Sequence, residues 1–222
     1  MAAGIGWRER GKVGTIGRGG ALNVATLQFW FEFASTYSYP AAARVERTAA
    51  QAGVHVEWRP FLLGPIFRSQ GWNDSPFNIY PTKGRYMWRD LERVCAKYEI
   101  PFHKPTQFPR NGLLAARVAC LAADQPWCAE FVRAVYRANF AADQDIGAVE
   151  TIASILDQLG QPVRQVLDTA QSPENKERLR AQNDAATGLG IFGAPTFVAG
   201  SELFWGNDRL EDALAWCSRG AV

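Results

Sequence analysis

The chain has 222 residues, of which 47% are hydrophobic and 21% are charged, so it can bury a sizeable core in one large domain or two small ones. Its net charge of +2 is not that of a nucleic-acid-binding protein, and no apolar run reaches the length of a membrane span. The four cysteines show no C-x-x-C spacing and the two histidines stand apart, so no metal site is expected and the predicted compartment is the reducing cytoplasm.

The first segment, residues 1–24, is rich in glycine and arginine and lacks the apolar region of a signal peptide. We expect it to be a disordered N-terminal extension outside the fold. A mitochondrial presequence is the alternative, although the apolar residues of this segment show no amphipathic period.

The segment TLQFWFEFASTYSYP, residues 26–40, predicts a strand followed by a helix. Apolar side chains alternate over residues 26–33, as in a strand with at least one buried face, and from Tyr37 onward they recur at helical spacing. Ser35 therefore lies where strand gives way to helix, close to unpaired backbone N–H groups at the positive end of the helix dipole. Such a position favours an anion, and an ordinary serine N-cap also fits it.

The helix is expected to end at Gly53, and residues 54–60 alternate as a second strand with His55 on its polar side. Two strands joined by a helix form a parallel βαβ unit with a right-handed crossover. Residues 61–84 are dense in glycine, proline, asparagine and aromatic residues, so we expect a long functional loop. Its polar side chains are Arg68, Asn73 and Lys83, for which surface solvation is the alternative.

Residues 85–189 show only helical periodicity, and strand character then returns. Pro195 stands directly before a short strand, a second strand follows at hairpin distance, and Asn207 or Asp208 is a candidate N-cap for a last helix. The order β-α-β, helical insertion, β-β-α is that of the thioredoxin-like α/β fold. We therefore predict a discontinuous thioredoxin-like domain, residues 25–60 and 191–219, with residues 61–190 as a loop plus an all-helical insertion.

Four segments of the chain resemble the 2-hydroxychromene-2-carboxylate isomerases, which are DsbA-like proteins related to the kappa-class glutathione transferases. In that family a serine replaces the first cysteine of the C-x-x-C motif, and Ser35-Thr36-Tyr37-Ser38 occupies this place here. Thr36 departs from the usual S-P-x-S pattern. Without a thiol pair this motif cannot exchange dithiol for disulfide. The segments are FEFASTYSYPA (31–41), RPFLLGPIFRSQGWNDSPFNIYPTKGRYMWRDLERVCA (59–96), GIFGAPTF (190–197) and LFWGNDRLE (203–211).

The resemblance implies glutathione as the cofactor and a site built around Ser35, whose hydroxyl would stabilise the glutathione thiolate. Ala194, before a cis Pro195, would pair its backbone with the cysteinyl part, and Asn73, Arg68 and Arg85 would meet the substrate. Trp72, Phe77 and Tyr80 would line the substrate site with aromatic side chains. Further residues implied to hold glutathione are Trp205, Gly206, Asn207, Asp208 and Lys83.

The implied reaction is a glutathione-dependent cis–trans isomerisation between 2-hydroxychromene-2-carboxylate and trans-o-hydroxybenzylidenepyruvate, a step of aromatic hydrocarbon catabolism. The implied partners are a small aromatic carboxylate and a second copy of the chain, as a homodimer, with no nucleic acid and no membrane. Two alternatives stay open: a kappa-like glutathione transferase or peroxidase, and a non-catalytic DsbA-like binding module.

Overall fold

The structure is a computed structural model that describes residues 25–219, so the predicted extension, residues 1–24, lies outside the described residues. This range contains four strands and ten α-helices, and a short 3-10 helix, Asn207–Arg209, precedes the last α-helix. The strands are β1 Thr26–Phe31, β2 His55–Pro60, β3 Thr196–Ala199 and β4 Glu202–Trp205. The helices are α1 Ser38–Ala52, α2 Leu63–Ser69, α3 Pro76–Ile79, α4 Pro81–Lys97, α5 Leu113–Leu121, α6 Cys128–Phe140, α7 Val149–Gln158, α8 Val163–Ala170, α9 Pro173–Gly188 and α10 Leu210–Ser218.

The four strands form one mixed sheet in the order β2-β1-β3-β4. β1 is parallel to β2, as the βαβ prediction required, and antiparallel to β3, and β3 continues into β4 as a hairpin. The predicted thioredoxin-like fold is therefore confirmed. Of the helices that the structure describes, none is long and apolar enough to cross a membrane.

Both faces of the central strand β1 are buried, whereas the alternation of apolar side chains predicted at least one buried face. On one face Phe29 lies 5.4 Å from the Phe197 ring and belongs to a core that continues into helices α5 to α8. On the other face Trp30 packs against Phe61 and Ile191 in a second, smaller cluster. The residues that cover this second face are distant in sequence, so local periodicity could not reveal them.

The predicted loop, residues 61–84, is partly wrong, because it contains α2, α3 and the start of α4. Pro76 and Pro81 each stand at the first turn of a helix, where proline's missing N–H costs no hydrogen bond. The Ser75 hydroxyl caps α3 by accepting from the Phe77 N–H at 3.3 Å. Proline density therefore marked helix starts here rather than an irregular loop.

Two helix boundaries were predicted: the end of α1 is confirmed, and the start of α10 is wrong. Gly53 ends α1 with a left-handed φ of +67°, as expected of a C′ glycine. Neither Asn207 nor Asp208 caps α10, because the 3-10 helix intervenes and α10 begins only at Leu210. The Asn207 side chain instead accepts from Arg44 of α1 at 3.4 Å.

A buried carboxyl group lies at the end of β1. Glu32 is 8% exposed, and its Oε2 accepts from the Ala34 N–H at 2.9 Å. Its backbone carbonyl accepts from the Ser35 N–H at 3.0 Å and from the Tyr136 hydroxyl at 2.8 Å. Burial disfavours the charged form and raises the pKa of Glu32 to about 7, although the backbone N–H groups act in the opposite direction.

The buried acid predicts a pH-dependent stability. Because the pKa of Glu32 is higher in the folded chain than in the unfolded one, its contribution is full below about pH 4.5 and is lost as the pH rises through 7. Glu32→Gln keeps an acceptor for Ala34 but does not titrate. Urea unfolding between pH 5 and 8 should show wild type losing on the order of 3 kcal/mol relative to this variant. The exposed control Glu130→Gln should follow wild type, and parallel profiles for wild type and Glu32→Gln would contradict the assignment.

Candidate functional site

Ser35 lies in the connection between β1 and α1, as its sequence position predicted. α1 begins at Ser38 and its N-cap residue is Tyr37, whose side chain makes no capping bond. Ser35 is therefore not the N-cap residue, but its Oγ accepts from the Ser38 N–H at 3.3 Å and donates to the Ala194 carbonyl at 2.9 Å. The hydroxyl thus joins the first turn of α1 to the segment before β3.

The segment before β3 lies against the end of β4. The Ala194–Pro195 peptide bond is cis, as the resemblance implies, and the Pro195 carbonyl accepts from the Gly206 N–H at 2.9 Å. A Cβ at Gly193 would lie 2.4 Å from Nε1 of Trp205, so a glycine is needed for the indole to pack here. Ser35, Ala194, Pro195, Trp205 and Gly206 are therefore brought together.

The turn after β4 presents one buried and one exposed polar side chain. Asn207 is 5% exposed, and both its side-chain and backbone oxygens lie 3.4 Å from Nη2 of Arg44. Its side-chain oxygen is therefore engaged inside the protein. The Asp208 carboxylate is exposed and lies 3.2 Å from Nη2 of Arg209. Gly206 has φ +117°, a conformation that side chains rarely adopt.

Tyr37 forms a wall of the site that the sequence analysis did not single out, although it lies within the S-T-Y-S motif. Its hydroxyl donates to Oδ2 of Asp90 at 2.9 Å, and its ring lies 6.3 Å from that of Phe77. Burial and then Asp90 raise the pKa of Tyr37, with a smaller effect of Asp208, so the hydroxyl stays protonated. Lys83 lies 5.8 Å from the Phe77 ring, which places α4 along the same wall.

Three predicted substrate residues make no recorded hydrogen bond or ion pair with the Ser35 site among the described residues. Arg68, Asn73 and Arg85 are exposed and lie in α2, in the connection to α3 and in α4. Arg85 donates to Thr82 of its own helix at 3.1 Å. Between residues 25 and 219, no hydrogen bond or ion pair links any of the three to the Ser35 or Ala194 segments. Their assignment to a substrate stays a prediction.

The thiols of the chain lie away from this site. All four cysteines are free, and burial raises the pKa of Cys95 and of Cys128 to about 12, so both stay protonated. The described residues contain no group of three or more side chains that could hold a metal ion. The Ser35 hydroxyl, at the positive end of α1, is suited to donate to an anion such as a thiolate.

Comparison with known proteins gives the same fold and a consistent set of relatives. The model of the DSBA-like thioredoxin domain matches residues 26–215. The chain is 30% identical over 188 residues to a 2-hydroxychromene-2-carboxylate isomerase from Sphingobium xenophagum, covering 84% of this chain and 94% of that protein. It is 25% identical over 200 residues to glutathione S-transferase kappa 1 from Homo sapiens, covering 84% of this chain and 88% of that protein.

A solved 2-hydroxychromene-2-carboxylate isomerase superposes with a TM-score of 0.78 at 25% identity, covering 88% of this chain and 98% of that one. The range that the family model matches, residues 26–215, includes the sheet, the helical insertion and the segments around Ser35 and Ala194. The chain belongs to the DSBA-like thioredoxin domain family, in the group that includes the 2-hydroxychromene-2-carboxylate isomerases.

Proposed function

We propose that this chain is a glutathione-dependent isomerase that interconverts 2-hydroxychromene-2-carboxylate and trans-o-hydroxybenzylidenepyruvate. The observation that carries the proposal is the Ser35 hydroxyl, held between the first turn of α1 and the Ala194 carbonyl in a motif without thiols. The relatives named as isomerases support the substrate, and those named as kappa transferases support glutathione.

The residues around Ser35 fit a tripeptide thiol. The backbone of Ala194, at the entry to β3, is suited to pair with the cysteinyl part as an added strand would. The Asp208 carboxylate suits the γ-glutamyl ammonium, and its ion pair with Arg209 is exposed, so exchanging partners costs little. The Thr36 hydroxyl is buried and, among the described residues, has no hydrogen-bond partner. Trp205, Gly206, Asn207 and Lys83 complete the proposed glutathione site.

The chain's own contribution is electrostatic. Bound glutathione would supply a thiolate that adds reversibly to a double bond of the unsaturated substrate. The resulting single bond can rotate before elimination restores the double bond and the thiol. Ser35 would turn its hydroxyl from the Ala194 carbonyl to the sulfur, and the N-terminal dipole of α1 would add to this stabilisation. The protonated Tyr37 hydroxyl and the Phe77 ring would form the wall against which a flat aromatic acid packs.

The remaining expectations stay proposals. Trp72 and Tyr80 would extend the aromatic wall, Asn73 would contact the substrate, and Arg68 or Arg85 would bind its carboxylate. We further propose a homodimer and a cytoplasmic location.

A kappa-like glutathione transferase is the second candidate, favoured by the relative from Homo sapiens of that name. It would use the same serine and the same glutathione site, but the electrophile would stay on the sulfur. A binding module that lost its thiols would bind neither glutathione nor substrate productively.

The Ser35 hydroxyl is tested by Ser35→Ala. One hydrogen bond to a charged group contributes about 1.5–3 kcal/mol, so the pKa of bound glutathione should rise by roughly one to two units. Turnover at neutral pH should fall about tenfold to a hundredfold and recover partly at alkaline pH. The thiolate absorbance of the complex, titrated against pH, measures the shift. Ser201→Ala, at an exposed position between β3 and β4, should titrate like wild type, and identical titrations for Ser35→Ala would leave Ser35 a structural residue.

The reaction type is tested by the fate of glutathione. An isomerase should convert a large excess of 2-hydroxychromene-2-carboxylate while the glutathione concentration stays constant, because elimination restores the thiol. Mass spectrometry of the reaction mixture gives both quantities. A stable thioether that accumulates in proportion to consumed glutathione would instead establish the transferase. Failure to bind glutathione at all would favour the binding module.

A further inference from the structure

A buried carboxyl group that the proposed reaction does not use lies beside Ser35. Glu32 is 8% exposed and forms no ion pair within residues 25–219, whereas buried carboxylates are normally paired with a cation. Its Oε2 accepts from the Ala34 N–H at 2.9 Å, and its own carbonyl accepts from the Ser35 N–H at 3.0 Å. Both bonds close the turn between Glu32 and Ser35, so the carboxyl group belongs to the structure that presents the serine hydroxyl.

The carboxyl group is close enough to Ser35 to respond to a charge bound there. The covalent path from the Ala34 nitrogen to the Ser35 hydroxyl is so short that Oε2 of Glu32 lies at most roughly 10 Å from that hydroxyl. At an effective dielectric constant of about 20, two charges at such a separation change each other's pKa by about one unit. A thiolate held by Ser35 therefore disfavours the charged form of Glu32, and a charged Glu32 disfavours the thiolate to the same extent.

The groups around Glu32 permit both of its charge states. Burial raises the pKa of Glu32 to about 7. On the α5 side a Cβ at Gly112, the N-cap residue, would lie 3.4 Å from Oε1, so the positive end of this helix is close to the carboxyl and favours its charged form. On the α6 side the Tyr136 hydroxyl donates to the Glu32 carbonyl and stays protonated, because burial raises the pKa of Tyr136. Arg110, before α5, is paired with Asp143. Glu32 can therefore exchange its proton near neutral pH without breaking an ion pair.

We propose that Glu32 is a positioning residue of the Ser35 site and that its protonation is coupled to formation of the glutathione thiolate. This coupling rests on the glutathione chemistry proposed above and extends it. Starting from ionised Glu32, the S–H bond of glutathione breaks and an O–H bond forms on the carboxylate, with the proton exchanged through solvent. The net charge of the site is unchanged, so the thiolate is produced without a second negative charge beside it.

The coupling is tested on Glu32 itself by carboxyl-carbon NMR of the labelled full chain, titrated between pH 5 and 9. Saturating glutathione should raise the pKa of Glu32 by about one unit. The peptide γ-Glu-Ser-Gly, in which a hydroxyl replaces the thiol, carries no thiolate and should leave the pKa of Glu32 nearly unchanged. A bound thiolate that leaves this pKa where the hydroxyl peptide leaves it would overturn the coupling alone. Failure of wild type to bind glutathione would overturn both the coupling and the proposed function.

The thiolate absorbance of the glutathione complex gives the reciprocal measurement. Two coupled groups titrate in overlapping steps, so the wild-type absorbance should rise over a wider pH interval than that of Glu32→Gln, which keeps a single titrating group. Glu130→Gln, at an exposed position on α6, removes the same charge and should titrate like wild type. Titrations of equal width for wild type and Glu32→Gln would contradict the coupling and leave Glu32 with a structural role only.

Discussion

Strand β1 is hydrogen-bonded on both edges, to β2 from the same βαβ unit and to β3 from the end of the chain. This double pairing sets the distance between the turn after β1 and the segment before β3, and so brings the Ser35 hydroxyl to the Ala194 carbonyl. The bond from Gly206 to the Pro195 carbonyl continues the β3–β4 hairpin. Backbone pairing therefore brings the two segments of the candidate site together.

The helical insertion has a direct part in holding Ser35. The connection after β1 leaves the sheet ladder, so its buried backbone oxygens need other partners. Tyr136 and Asn139 of α6 supply them, by donating to the carbonyls of Glu32 at 2.8 Å and Phe33 at 3.1 Å. Arg110 in turn donates to Asn139 at 3.2 Å. The turn that presents the hydroxyl is thus fixed by residues about a hundred positions away.

The spacing of apolar residues and prolines was sufficient to predict β1, α1 and the strand after Pro195. The alternation of β1 and the helical spacing after it placed Ser35 between a strand and a helix, and Pro195 was placed directly before a strand. That Ala194 belongs to the same site as Ser35 was implied only by the family resemblance. The burial of Glu32 could not be predicted, because Glu32 follows the end of β1 and its neighbours, such as Tyr136 and Gly112, are remote in sequence. Asn207 was expected to cap a helix, but it contacts Arg44, some 160 residues earlier. These two features depend on contacts between segments remote in sequence, which periodicity does not record. Helices α2 and α3 were missed for a local reason, because Pro76 and Pro81 mark helix starts rather than a loop.

The bond between Ser35 and Ala194 spans 159 positions, and this has a consequence for biosynthesis. As the chain leaves the ribosome, the first two strands and the insertion are present long before β3, so one edge of β1 has no partner strand. Closing so long a loop is slow, because its entropic cost precedes the contacts that offset it. The nascent protein therefore completes its candidate site only after β3 has been synthesised. Until then one edge of β1, which is rich in aromatic residues, has unpaired backbone groups that can associate with other chains.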